Sequence, residues 1–302
     1  MDNTPLQPQE VSLGVYPPVT RIFTNPKAQV SSPINVSNHT NDMLQLDIVL
    51  RAFRASDANN GTIQYYSPKD TPAQDLAFLN TVQLQDNNGP IKQVTLYPNE
   101  SKTLHIVFPG PLSNKDFYFS VIFLHQGTES KTDESLVHVA TGVAGNVLVS
   151  EGNAQGNNVL LTPDFQTRNI VFTGPAKFNL TLNNNSDNFI STSGNVYIYD
   201  IFGNKAGVIP LKPAIILNNS SRIMTGTDVA SGKGQDIAWG ERFLFGYYRA
   251  QAVIKINQTG TQTYETHFFA VPVFILLIFS LILFVILSIL HRTLKKLNFK
   301  ES

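Results

Sequence analysis

Histidines, carboxylates and thiols are where chemistry would start, and this chain of 302 residues has six histidines and no cysteine. The histidines are His39, His105, His125, His138, His267 and His291. None belongs to an H-E-x-x-H pair, which would set two imidazoles on one helix face toward a metal. No G-x-S-x-G elbow and no phosphate-cradling P-loop occurs. His105 and His138 fall out of phase with apolar neighbours and are expected to face water, while His39 sits in a turn. A triad can assemble from distant positions, but no local signature announces one. The oxygen-rich stretches "DANNG" and "NNNSDN" lack the ligand ladder of an EF-hand, and Asn and Asp are ordinary turn formers. Without cysteine there is no disulfide framework, thiol nucleophile or thiolate metal ligand. The expectation is a non-enzyme, with no catalytic residue, metal or cofactor.

What elements would position a binding surface instead? The apolar fraction is 42%, enough for a core, while charged residues are 15% and the net charge is zero, which argues against a nucleic-acid partner. "MLQLDIVLRAF" alternates, with Leu44, Leu46, Ile48 and Leu50 to one side and Gln45, Asp47 and Arg51 largely to the other. Period two marks a strand with one wet face. "KTLHIVF" repeats it with Leu104, Ile106 and Phe108, and "KDFYFSVIFLHQ" with Phe117, Phe119, Val121 and Phe123. "SLVHVATGVAGNVLVSEG" adds Val137, Val139, Val143 and Val147, with Gly142 and Gly145 as expected bulges. In "QVSSPINVSN", Val30, Ile34 and Val36 point inward, and Pro33 suits an edge. "TPAQDLAFLNTVQLQ" reads as a short helix with Thr71 as N-cap and Pro72 as first helical residue.

After a polar linker, "EGNAQGNN", the pattern resumes in "RNIVFT", "KFNLTLNN", "GNVYIYD", "GVIPL", "AIILNNSSRIM" and "YYRAQAVIKIN". "YDIFGNKAGVIPL" reads as a hairpin with Gly203 and Asn204 at positive φ. The single tryptophan, Trp239, is expected in packing. The fold class is therefore mainly β: two tandem Ig-like antiparallel β-sandwich domains followed by one C-terminal transmembrane helix. Expected boundaries are a disordered N-terminus 1–10, a first sandwich 11–150, a linker 151–158, a second sandwich 159–266, the helix 267–291 and a basic tail 292–302. The two blocks share a layout without a repeat in residue identities.

The helix expectation rests on Phe268–Leu290, where Pro272, Ser280 and Ser288 are the only interruptions and no charge occurs. At about 1.5 Å per residue such a run crosses roughly 30 Å of hydrocarbon. Phe268, Leu276, Leu277, Leu283 and Leu290 are its anchor residues, in a lipid bilayer. Arg292, Lys295, Lys296 and Lys300 follow as a positive flank, which would put the tail in the cytoplasm and the β-domains outside the cell membrane. "MDNTPLQPQEVSLGVYPP" has no basic n-region and no apolar h-region, so this orientation calls for an export signal not visible here; a tail-anchored arrangement is the other option.

The stretch "GVYPPVTRIFTNPKAQVSSPINVSNHTNDMLQLDIVLRAF" resembles the opening of the WxL-interacting family of bacterial cell-surface proteins. "LYPNESKTLHIVFPGPLSNKDFYFSVIF" is similar to that family's next block, through Pro98, Glu100, Ser101 and Lys102 and then Tyr118, Ser120, Val121 and Phe123. The resemblance implies an envelope protein whose outer domain contacts peptidoglycan and whose inner domain engages a surface protein. It carries over no binding residue. Three functions stay open: a membrane-anchored extracellular adhesion protein contacting cell-wall polymer or a surface protein, a passive stalk with no ligand, and a pilus-chaperone-like assembly factor.

Overall fold

The structure is a computed structural model that describes residues 12–111, 115–126, 130–132, 135–137, 140–151, 161–227, 234–257 and 260–298. The chain divides into two compact units. One comprises Met1–Leu161, Asn184–Ile190 and Ile215–Ser221; the other comprises Thr162–Asn183, Ser191–Ala214 and Arg222–Ser302.

Unit 1 is built from β1 Leu13–Tyr16, β2 Val19–Thr24, β3 Gln29–Asn38, β4 Leu44–Ala55, β5 Ile63–Tyr65, helix α1 Ala73–Leu79, β6 Gln83–Asp86, β7 Gly89–Ile91, β8 Gln93–Leu96, β9 Ser101–Pro109, β10 Phe117–Gln126, β11 Ser130–Thr132, β12 Ser135–Val137 and β13 Ala140–Glu151. One sheet runs β1-β3-β9-β6-β7 and its partner β2-β13-β10-β4-β5, with β8 also on β4; β11 and β12 pair separately. Alternation produces this sandwich: Leu44, Leu46, Leu104, Ile106, Phe108, Phe119, Val121 and Phe123 all meet in one buried cluster. Removing one such aromatic from water contributes about 1.5–3 kcal/mol. Pro33 lies beyond the stretch of β3 that β1 covers, Asn35 to Asn38, so its missing N–H interrupts no ladder on that side.

Two local readings need correction. Pro72 is the N-cap of α1 rather than its first residue, and no side chain caps it; the Thr71 hydroxyl bonds back to the Ser67 carbonyl instead. Gly142 and Gly145 do not bulge, because β13 keeps an unbroken register on β10. A Cβ at Gly142 would lie 2.7 Å from the Phe123 carbonyl oxygen, and one at Gly145 2.8 Å from Ile34 Cδ1. Close approach, not curvature, demands glycine there.

The remaining elements are β14 Leu161–Thr167, β15 Ile170–Val171, β16 Ala176–Asn184, β17 Ile190–Tyr199, β18 Lys205–Ile216, β19 Ser220–Ile223, β20 Gly226–Thr227, β21 Gly234–Gln235, β22 Ile237–Trp239, β23 Gly246–Ile256, β24 Gly260–Ala270 and helix α2 Val273–Asn298. They form a sheet β14-β16-β19, with β22 on β16, and a sheet β15-β24-β23-β17-β18-β20-β21. β2 pairs with β13, and β15 with β24, in parallel. "GVIPL" and "AII" are one strand, β18. In the hairpin that precedes it only Gly203 has positive φ; the Asp200 carboxylate holds the turn by accepting from the amides of Phe202 and Asn204. Trp239 is a packing residue, edge-on to Tyr248 and covering Gly207.

The expected membrane span is overturned. Its first residues are not helix: Phe268–Ala270 end β24, and Phe268 is 1% exposed, stacked on Tyr248 in the core. Pro272 lacks an N–H and separates this ladder from α2. Among the described residues no helix is long and apolar enough to cross a membrane. The single-pass membrane localisation, with β-domains outside and tail in the cytoplasm, falls with the span. Segments 1–10 and 152–158 lie outside the described residues.

Candidate functional site

A cleft of about 430 Å³ in unit 1 gathers the charged groups Arg54, Asp57, Asp75, Lys115 and Asp116 with Tyr66 and Tyr118. Asp116, just ahead of β10, is its buried carboxylate. Tyr118 Oη donates to it at 2.8 Å, Asn188 Nδ2 at 2.7 Å, and the Phe189 amide donates as well. Burial is the largest influence on this carboxyl and raises its pKa, against the lowering by those donors. Burial likewise raises Tyr118 well above a free phenol, helped by the Asp116 charge. Asp75 is raised by burial, with Lys115 pulling the other way. A carboxylate tying the start of β10 to the 188–189 segment in this way acts as a brace, since its lone pairs are engaged rather than offered to a substrate.

A second brace occurs twice. Asn38 Nδ2 donates to the carbonyls of Asp42 at 2.7 Å, Tyr97 at 3.1 Å and Leu96 at 3.4 Å, while its Oδ1 accepts from the Thr40 amide and hydroxyl. Asn184 Nδ2 donates to the carbonyls of Asn188, Leu217 and Ile216, while its Oδ1 accepts from the Ser186 amide and hydroxyl. Each facing loop carries an asparagine in left-handed backbone, Asn99 and Asn219, three residues beyond the inner carbonyl. The shared pattern is N-x-[ST]-x-[DN], a signal present in the sequence at 38–42 and 184–188.

The open feature of unit 1 is the outer edge of β13. On one side β13 pairs with β10 from Ala140 to Val149; on the other, β2 covers only Asn146–Glu151. The Asn146 amide bonds to the Pro18 carbonyl at 3.0 Å, so even-numbered residues of β13 aim their backbone groups outward. The N–H and C=O of Gly142 and Ala144 therefore face an edge with which no strand pairs among the described residues. Gly142 is exposed, and Thr141, Val143 and Ala144 are half-buried. Such an edge accepts an added strand, each main-chain bond contributing about 1 kcal/mol net. The sequence showed β13 as a strand but carried no sign of which neighbour would leave its edge unpaired.

Of the residues singled out from sequence, Leu277, Leu283 and Leu290 are exposed on α2 and Phe268 is core. The side chains of Leu276, Arg292, Lys295, Lys296 and Lys300 lie outside the described residues, as do those of His138 and His291. His105 lies on the surface of β9, 3.4 Å from Ser31 Oγ; His125 Nδ1 is 3.2 Å from the Gln45 carbonyl; His267 stacks on Tyr247. No group of three His, Asp or Glu among the described residues is placed to hold a metal ion.

No protein-family model matches the chain, and no curated protein matches it. Among solved structures it is similar to the class 5 fimbriae chaperone CfaA, at 13% identity over 85% of this chain and 99% of that one, with a TM-score of 0.39. It is similar to the E. coli chaperone DraB, at 14% identity over 85% and 98%, with a TM-score of 0.38. The periplasmic chaperone SfaE matches at 9% identity over 86% and 100%, with a TM-score of 0.35. These neighbours are of the class named in the assembly-factor alternative, not adhesins. At TM-scores of 0.39 and below they carry no argument about what this chain does.

Proposed function

We propose that this chain is a protein-binding assembly factor that captures an extended segment of a partner protein by strand addition to β13. The observation that carries the reading is the unpaired edge at Gly142 and Ala144, held flat by the β10 ladder and backed by the unit 1 core. The engaged state of Asp116 supports binding rather than chemistry in the cleft of unit 1. The WxL-interacting resemblance supports a protein partner too. The lipid bilayer and peptidoglycan expected from sequence find no support in the described residues, and only the protein partner is kept.

Ala144→Pro tests it. Proline at 144 deletes an outward N–H and leaves untouched the odd-numbered groups that hold β10. A photo-crosslinking side chain at Thr141 of the full chain should trap a defined protein partner, and Ala144→Pro should lower that yield about tenfold, a loss of about 1.4 kcal/mol. Equal trapping by the parent and by an Ala144→Pro variant of unchanged melting temperature would refute the reading.

A further inference from the structure

β24 is the longer open edge. It pairs with β23 over its full length, from Ile256 opposite Gly260 to Gly246 opposite Ala270. On its other side only Phe269 and Ala270 are covered, by β15. The Phe269 amide donates to the Asn169 carbonyl at 2.8 Å and the Val271 amide to the Val171 carbonyl at 2.9 Å, so odd-numbered residues aim outward. Thr261, Thr263, Glu265 and His267 thus present four N–H and four C=O groups to an edge with no strand opposite it among the described residues.

Edge strands are normally blunted by proline, lysine, a bulge or brevity. The stretch Gly260–His267 has no proline and no lysine, and its register on β23 is continuous. Eight residues span about 27 Å at roughly 3.4 Å each.

We infer that this edge is an interface between two copies of the chain, joined as antiparallel β24 strands about a two-fold axis at Tyr264. In that register Thr261 faces His267 of the other copy, Thr263 faces its Glu265, and all four outward residues of both strands pair. The register centred on Glu265 would set two carboxylates face to face, which is destabilising. Centring on Thr266 would run Thr263 onto Phe269, whose amide is already bonded to Asn169. Centring on Thr263 sets His267 opposite position 259, beyond the bounds of β24. In the Tyr264 register the two Glu265 carboxylates lie diagonally across the axis, each already held on its own sheet by Gln251 Nε2 at 2.8 Å and Arg249 at 3.7 Å. The net charge of zero adds no long-range repulsion between copies.

The chain has no cysteine, so one can be introduced cleanly. At the axis the two Tyr264 Cα atoms form a non-hydrogen-bonded pair about 4.5 Å apart, inside the roughly 4.4–6.8 Å that a disulfide spans. The full chain, in a mild non-ionic detergent that keeps α2 from driving association, is oxidised with copper-phenanthroline and oxygen. Tyr264→Cys should give a covalent dimer at least about tenfold faster than Met43→Cys, whose site is an exposed turn. In sedimentation, Thr263→Pro should weaken the parent's dimer about tenfold by removing an outward N–H on each strand. A monomeric parent, a dimer indifferent to Thr263→Pro, or equal crosslinking of the two cysteine variants would each overturn the inference. Should Thr263→Pro fail to fold, the crosslinking comparison still decides.

Discussion

Replacing Asn38 should unseat the turn between β3 and β4. The side chain is 0% exposed and takes part in five hydrogen bonds. In Asn38→Ala the carbonyls of Asp42 and Tyr97, on exposed residues, recover water, while that of the buried Leu96 keeps only its ladder partner, Leu44. Each of the five bonds contributes about 0.5–1.5 kcal/mol before water is regained. The net is about 3 kcal/mol, a large part of the roughly 5–15 kcal/mol that holds a domain. For a unit of this size that is a fall in melting temperature of about 6–12 °C. Asn38→Asp should do more harm at neutral pH, because a carboxylate would face three carbonyl oxygens, and acid should relieve part of the difference by restoring one donor. Thermal unfolding followed by circular dichroism reads both variants. If Asn38→Ala melts with the parent, or Asn38→Asp melts no lower than Asn38→Ala, the brace is not holding the turn.

Three further outcomes follow from packing and charge. Burial raises the Asp116 carboxyl, so the folded chain holds that proton more tightly than the unfolded chain; its contribution is complete below pH 3.8 and is lost as pH rises through the raised value. Asp116→Asn should remove that decline from urea midpoints measured between about pH 3 and about pH 7. A Cβ at Gly207 would sit 2.4 Å from Trp239 Nε1, so Gly207→Ala should cost about 1–3 kcal/mol and shift the fluorescence of the chain's single tryptophan. Phe268→Ala should cost about 3–5 kcal/mol in thermal unfolding, as for a core aromatic, whereas a residue outside the fold would stay within about 0.5 kcal/mol.

The alternation of Leu44 and Leu46, and of Phe119, Val121 and Phe123, revealed the unit 1 core because a strand's period leaves its faces unambiguous. Phe268 was misread for the opposite reason. An apolar strand end and an apolar helix abut across Pro272, and composition alone carries no boundary between them. Asn38 and Asn184 look like ordinary turn asparagines, since burial of an amide depends on carbonyls more than thirty or fifty positions away in the chain. The edges of β13 and β24 were illegible as well, because openness belongs to the neighbour that departs and not to the strand itself.

The doubled asparagine brace also bears on covalent modification. Asn38-His39-Thr40 and Asn184-Asn185-Ser186 both spell an acceptor for sugar transfer. In each, the nitrogen that would carry the sugar is sealed inside and tied to three carbonyls. A transferase meeting the finished fold would find those two acceptors shut, while Asn179, in Asn179-Leu180-Thr181, lies open on the surface. A glycan at Asn38 would have to arrive before the turn closed, and it would keep the turn from closing.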